Sequence, residues 1–269
     1  MNPSLETLKE LSKNNEYKVA PVGIEMFSDI ATPIQVLKIL KNHSNHCYIL
    51  ESISDSEKWG RYTFLGFDPK LEITCQNGKV KVGEKIYEDE NPDKYIRQVL
   101  SDYKSPKFDY FPSFTGGLVG YFSYDYLKYS EKTLNLDAED TENFKDIDVM
   151  LFDKVIAFDN FKQKIILIVN IFLNDIDNEY KRAEKELKKL KNLIENGKPF
   201  EDEKGVLKSE FKPLFDKTDY CEMVEKAKKH IFEGDIFQIV LSNRLEADFT
   251  GSLLNTYRVL RTVNPSPYM

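Results

Sequence analysis

The feature that most constrains this chain is a change of period at Gly234. Before it, Tyr220, Met223, Val224, Ala227 and Ile231 recur at helical spacing, with Thr218 as the predicted N-cap and Asp219 suited to the positive helix start. Gly234 stops the helix. After it the period is two. Phe237, Ile239 and Leu241 fall on one face of a predicted strand, and Gln238, Val240, Ser242 and Arg244 on the other. The second, largely polar row has two readings. It is the solvent side of a half-buried sheet, which pattern alone favours, or the wall of a site where an amide, a hydroxyl and a guanidinium meet an anionic ligand. Arginine's planar fork pairs with carboxylates in two-pronged fashion.

Around this stretch the chain has room for one large domain or two small ones. It has 269 residues, 41% hydrophobic and 13% aromatic, which is enough for a sizeable core. A net charge of -7 argues against nucleic acid as the main partner, because phosphate binding needs a basic face. Three irregularly spaced cysteines, Cys47, Cys75 and Cys221, form no disulfide framework and no zinc motif; they suit a reducing, cytoplasmic setting. The longest apolar runs, such as Ile165 to Val169, have strand length, so no membrane span is expected, and the N-terminus has no signal-peptide core.

In chain order, a short amphipathic helix opens the sequence, and Tyr17 to Phe27 reads as a strand region interrupted by Pro21 and Gly23. Thr32-Pro33 starts a helix in cap-plus-proline order. Cys47 to Leu50 is a strand that runs into the polar pair Glu51-Ser52, and after a loop from Ile53 to Trp59 another strand spans Gly60 to Gly66. Asn77-Gly78 between alternating residues is a hairpin signal, and Asn91-Pro92 begins a helix to about Tyr103. Gly116, Gly117 and Gly120 imply close backbone packing. Their spacing lacks the lysine of a phosphate-binding P-loop and the pattern of a dinucleotide fold. Ser130 to Lys145 is an acidic loop. Ile147 to Ala157 and Gln163 to Phe172 read as two paired strands joined around Asp159-Asn160, and a charged helix spans Asp175 to Asn196. Ser252 to Val263 is a final helix before Asn264-Pro265-Ser266-Pro267-Tyr268-Met269. His43 and His46 lack a third ligand and read as surface histidines.

The run K-A-K-x-x-I-x-x-G-D-I-F-Q-x-V-L-S-x-R resembles the segment that opens the catalytic half of chorismate-utilising enzymes. Leu50-Glu51-Ser52, the Trp59 to Gly66 stretch and G-G-L-V-G-Y-F-S-Y-D are similar to further landmarks of that family, so the resemblance runs from about Ile49 to Met269. It implies an α+β fold of antiparallel sheets with flanking helices, incomplete at the C-terminus. Its predicted divisions are an N-terminal regulatory domain over 1–196, a linker over 197–217 and the start of a chorismate-binding domain over 218–269. Family members with water-activating chemistry resemble each other in a lysine at the position of Gln238. Glutamine there is similar to the aminating branch, and an amide is no base near neutral pH.

The resemblance further implies a reaction of chorismate with ammonia that yields anthranilate and pyruvate for tryptophan synthesis. Ammonia would come from a glutamine amidotransferase subunit, and Mg²⁺ would be held by residues beyond those present here, so that this chain alone is expected to be inert and to hold no metal. Gln238, Ser242 and Arg244 are the expected active-site wall. L-E-S and N-P-S-P-Y-M resemble the two walls of a feedback pocket for L-tryptophan, which assigns Ser52, Pro267, Tyr268 and Met269 to it, with Glu51 and Arg61 as further members. The alternatives are the aminodeoxychorismate-forming branch of the family and a non-catalytic module that binds an amino acid.

Overall fold

The computed structural model describes the chain except residues 53–59, 90, 132, 135 and 137–139. The predicted loop from Ile53 to Trp59 and part of the acidic loop therefore lie outside the described residues. The chain divides into two compact units. One comprises Met1–Phe200 together with Asn264–Met269, the other Glu201–Val263.

The first unit is α+β. In order it contains α1 (Leu5–Ser12), β1 (Val19–Phe27), α2 (Pro33–Lys41), β2 (Cys47–Leu50), β3 (Tyr62–Phe67), β4 (Leu71–Gln76), β5 (Lys79–Val82) and β6 (Lys85–Glu88). There follow α3 (Asp93–Asp102), β7 (Gly117–Phe122), β8 (Ile147–Phe152), β9 (Lys154–Asp159), β10 (Lys164–Phe172) and α4 (Ile176–Asn196). The strands form two five-stranded antiparallel sheets, ordered β1-β10-β9-β3-β2 and β6-β5-β4-β8-β7.

Local chemistry explains most of these elements. The Ser4 and Thr32 hydroxyls accept from the N–H groups of Thr7 and Gln35 and so cap α1 and α2. Asn77 and Gly78 both take the left-handed conformation that a two-residue hairpin requires, and they join β4 to β5. A buried carboxylate fastens that turn. Asp146 Oδ2 accepts from the Asn77 N–H (2.8 Å) and the Tyr129 hydroxyl (2.7 Å), and that hydroxyl accepts in turn from the Gly78 N–H (2.7 Å). Pro21 does not interrupt β1, because β1 is the edge of its sheet and an edge strand tolerates a missing donor. The α4 stripe Ala183, Leu187, Leu190 and Ile194 is buried, and the helix packs on β10 and β1. One core cluster joins Ile73, Ile147 and Val149 to Ile96 and Val99 of α3, and another gathers Phe64, Phe111, Val155 and Ile168 on the first sheet.

One expectation is corrected and another extended. Ile147 to Ala157 is not one strand: β8 lies in the second sheet and β9 in the first, with Asp153 alone between them. The β4–β5 hairpin also gains a third strand, β6.

The second unit contains β11 (Val206–Leu207), β12 (Lys212–Pro213), α5 (Lys217–Glu233), β13 (Leu245–Glu246), β14 (Phe249–Thr250) and α6 (Leu254–Val263). Two-residue ladders pair β11 with β14 and β12 with β13. The α5 N-cap is Asp216, not Thr218: its carboxylate accepts from the N–H groups of Thr218 and Asp219. Gly234, in the left-handed region, ends α5 as expected. The strand predicted from Phe237 to Arg244 does not form, and only Leu245–Glu246 finds a partner. A strand exists through its neighbour's hydrogen bonds, and this unit supplies one only at the end of the stretch, from the Leu214 N–H to the Arg244 carbonyl (2.8 Å). Phe237 is accordingly 100% exposed rather than core. No residue of the unit is buried.

Candidate functional site

The predicted ligand walls meet within the first unit. Glu51 and Ser52 directly follow β2, and both are buried. The Asn264–Met269 segment lies against them, although more than 200 residues separate the two in sequence. The Glu51 N–H donates to the Met269 carbonyl (3.0 Å), and the Met269 N–H donates back to the Glu51 carbonyl (2.8 Å). The Tyr268 N–H donates to Ser52 Oγ (2.7 Å). Tyr268 sits at φ 51°, a conformation rare for a bulky residue and one that recurs where a surrounding site enforces it. Ser52 therefore orients the backbone of Tyr268 and leaves Pro267 and the Tyr268 ring partly open to solvent.

Arg61, the remaining expected member, is held by a carboxylate of β9. Its Nε and Nη2 donate to the buried Asp159 carboxylate (3.3 and 2.8 Å), and its guanidinium lies over the Tyr62 ring. Asp159 also accepts from the N–H groups of Phe161 and Lys162 and so closes the β9–β10 turn. The hydrogen bonds and charge of this pairing raise the arginine pKa against the opposing effect of burial.

In the second unit, Gln238, Ser242 and Arg244 lie on the unpaired stretch after α5, all exposed. Arg244 Nη2 pairs with Glu246 (2.6 Å). The Tyr220 hydroxyl of α5 donates to the Leu241 carbonyl (3.1 Å) and ties this stretch to the helix. His230, Glu233 and Asp235 converge at the end of α5, all exposed, with His230 Nδ1 hydrogen-bonded to Asp235 (2.8 Å). An exposed trio that includes an imidazole is a poor fit to Mg²⁺, which favours oxygen ligands in strict octahedral order. Among the described residues no helix is long and apolar enough to cross a membrane.

Two antiparallel sheets with flanking helices, and a clamp between an L-E-S turn and a P-Y-M segment, define a class, and the comparisons identify it. Residues 45–269 match the chorismate binding enzyme family, and the chain belongs to that family. It is 34% identical to the anthranilate synthase component 1 of Acetivibrio thermocellus, over 99% of this chain and 56% of the relative. It is 36% identical to the protein of the same name from Aquifex aeolicus, over 100% of this chain and 56% of the relative. The crystal structure of anthranilate synthase component I from Streptococcus pneumoniae TIGR4 superposes with a TM-score of 0.62 at 29% identity, covering 91% of this chain and 53% of that one. The chain thus spans about half the length of the curated relatives it matches.

Sequence reasoning missed one constellation, the buried charges around Asp153. Their signal was the pair Asp153-Lys154 inside an otherwise apolar run, where a strand through a core should carry no charge.

Proposed function

We propose that this chain carries the ligand-sensing region and one active-site segment of an anthranilate-forming enzyme. That enzyme converts chorismate and ammonia to anthranilate and pyruvate in the cytoplasm, with ammonia delivered by a glutamine amidotransferase partner. What supports the aminating reading is Gln238, an amide where a water-activating base would be needed for the other chemistry, together with the names of the similar proteins. Ser242 and Arg244 follow Gln238 on the same stretch and suit the anionic carboxylates of chorismate. Mg²⁺ belongs to this reading as the group that would grip a substrate carboxylate, and the described residues form no fitting site for it.

The feedback reading rests on the clamp between Glu51-Ser52 and Tyr268-Met269. L-Tryptophan would place its ammonium near the Glu51-Ser52 turn and its indole against Pro267, Tyr268 and Met269, while Arg61, committed to Asp159, would shape the neighbouring strand.

The test is a calorimetric titration of L-tryptophan into the chain and its Ser52→Ala variant. Saturable binding that weakens about tenfold in the variant is expected, equivalent to losing one buried hydrogen bond of about 1.4 kcal/mol. Equal affinity in both proteins would rule out this pocket. Incubation with chorismate, ammonia and Mg²⁺ should yield no anthranilate fluorescence, because the Gln238 stretch is exposed and unpaired.

A further inference from the structure

Each sheet of the first unit has two edge strands, and an edge invites a further strand unless something blocks it. Three of these edges are guarded. β1 carries Pro21 and Glu25 and is bridged by Asn2 at Gly23. β2 is four residues long and runs into the clamp. β6, Lys85-Ile86-Tyr87-Glu88, has a charge at each end. β7 has no such device. From Gly117 to Phe122 it reads G-L-V-G-Y-F, without a charge or a proline.

The Ser123 N–H donates to the Asp146 carbonyl (3.0 Å), toward β8. Along an antiparallel strand successive residues turn their backbone groups to opposite sides. The N–H and C=O groups of Leu118, Gly120 and Phe122 therefore face away from β8, and among the described residues none bonds to them. The surroundings are apolar. Leu118 packs on the core cluster of Ile73 and Val149, and Phe122 on the same face lies edge-on to Tyr126 (ring centroids 5.1 Å). On the opposite face Tyr121 meets Phe144. Phe122 is 50% exposed, and Tyr124, just beyond the strand, 84%.

We propose that β7 pairs antiparallel with β7 of a second copy of this chain, the two-fold axis passing through Gly120. The strand is complementary to itself in this register. Gly120 meets its own counterpart, where the absence of side chains lets the two backbones approach. Leu118 then faces Phe122 of the second copy, and Val119 faces Tyr121. Aromatic and aliphatic residues oppose each other, and no like charges are brought together. A slip of two residues would set Gly120 against Phe122 or Leu118 and shorten the ladder. The open edge with the exposed parts of Tyr121, Phe122 and Tyr124 would bury on the order of 1,000 Å² over both copies. That is the lower limit for a specific contact, so the dimer is weak, with a Kd on the order of 10 μM.

The experiment is sedimentation velocity of the full chain from about 1 to about 200 μM, with amide exchange followed at both ends of that range. A shift from monomer to dimer is expected. In the dimer the amides of Leu118, Gly120 and Phe122 should exchange about tenfold more slowly than in the monomer, while those of Val119 and Tyr121, already turned to β8, should change little. Phe122→Lys, which sets a charge against Leu118 of the second copy, should stay monomeric throughout. A wild-type chain that is monomeric at every concentration would overturn the proposal, as would a dimer that Phe122→Lys leaves intact. So would a dimer in which the Leu118, Gly120 and Phe122 amides exchange as in the monomer, because it uses another surface. The same three amides already slow in the monomer would show that another part of the chain covers the edge, and would overturn it too. The exchange readings need no variant to fold.

Discussion

Asp159 shows how one carboxylate settles a local structure. Burial alone would raise its pKa, but the Arg61 hydrogen bond, the turn amides and the arginine charge outweigh it and hold the group below the usual carboxylate range. A pKa lowered by folding contributes stability above the ordinary value near 4, and that contribution is lost as pH falls through the folded value. Asp159→Asn should therefore cost about 2 kcal/mol at pH 7 and progressively less toward pH 2. Urea melts of both proteins at the two pH values measure this; a gap that does not narrow in acid would assign the stabilisation to packing instead. The same residue gives Arg61 a partner that its sequence neighbourhood does not announce. Its partner lies 98 residues away in sequence, and no local pattern reveals that pairing.

At the scale of elements, close approach of two backbones decides what β7 tolerates. A Cβ on Gly120 would lie 2.0 Å from the Asp148 carbonyl oxygen on the paired strand β8, at a φ of +157°. The obstructing atoms are backbone of β8, which no side-chain rotation can move aside, so Gly120→Ala should cost roughly 2–4 kcal/mol. Tyr121→Ala, on the exposed end of the same strand, should cost less than about 1 kcal/mol. Equal chemical-denaturation midpoints for the two variants would contradict this account.

The elements that could be read from the sequence were those specified locally: the Thr32-Pro33 start of α2, the Asn77-Gly78 turn, the glycine end of α5 and the apolar stripe of α4. Those that could not were specified by distant partners. The charged pair Asp153-Lys154 marks a break within Ile147 to Ala157, but nothing local says that the strands on its two sides belong to different sheets. The 237–244 alternation implied a strand, but alternation sets only which face a side chain takes and cannot supply a neighbour. The clamp was legible by family likeness alone, since no periodicity connects Glu51 to Met269.

For the molecule as a whole, burial is concentrated in the first unit. It holds the core clusters, whereas the second unit exposes Phe232 (92%) and Val240 (82%) and has only two-residue ladders. Amide exchange over 201–263 should accordingly outpace exchange in β9 and β10 by more than tenfold, and chymotrypsin should cut there first. Protection in α5 equal to that in β10 would show that the second unit is as stable as the first.

The return of Asn264–Met269 to the first unit also sets where a mechanical load would run. If the chain were pulled at residues 2 and 269, tension would pass from Asn2, bonded to Gly23, to Met269, bonded to Glu51, without entering the intervening unit. The three hydrogen bonds of the clamp would act as a fuse. Once they break, residues 201–263 come under tension all at once, and the extension trace should show a small early release followed by the slack of an entire unit.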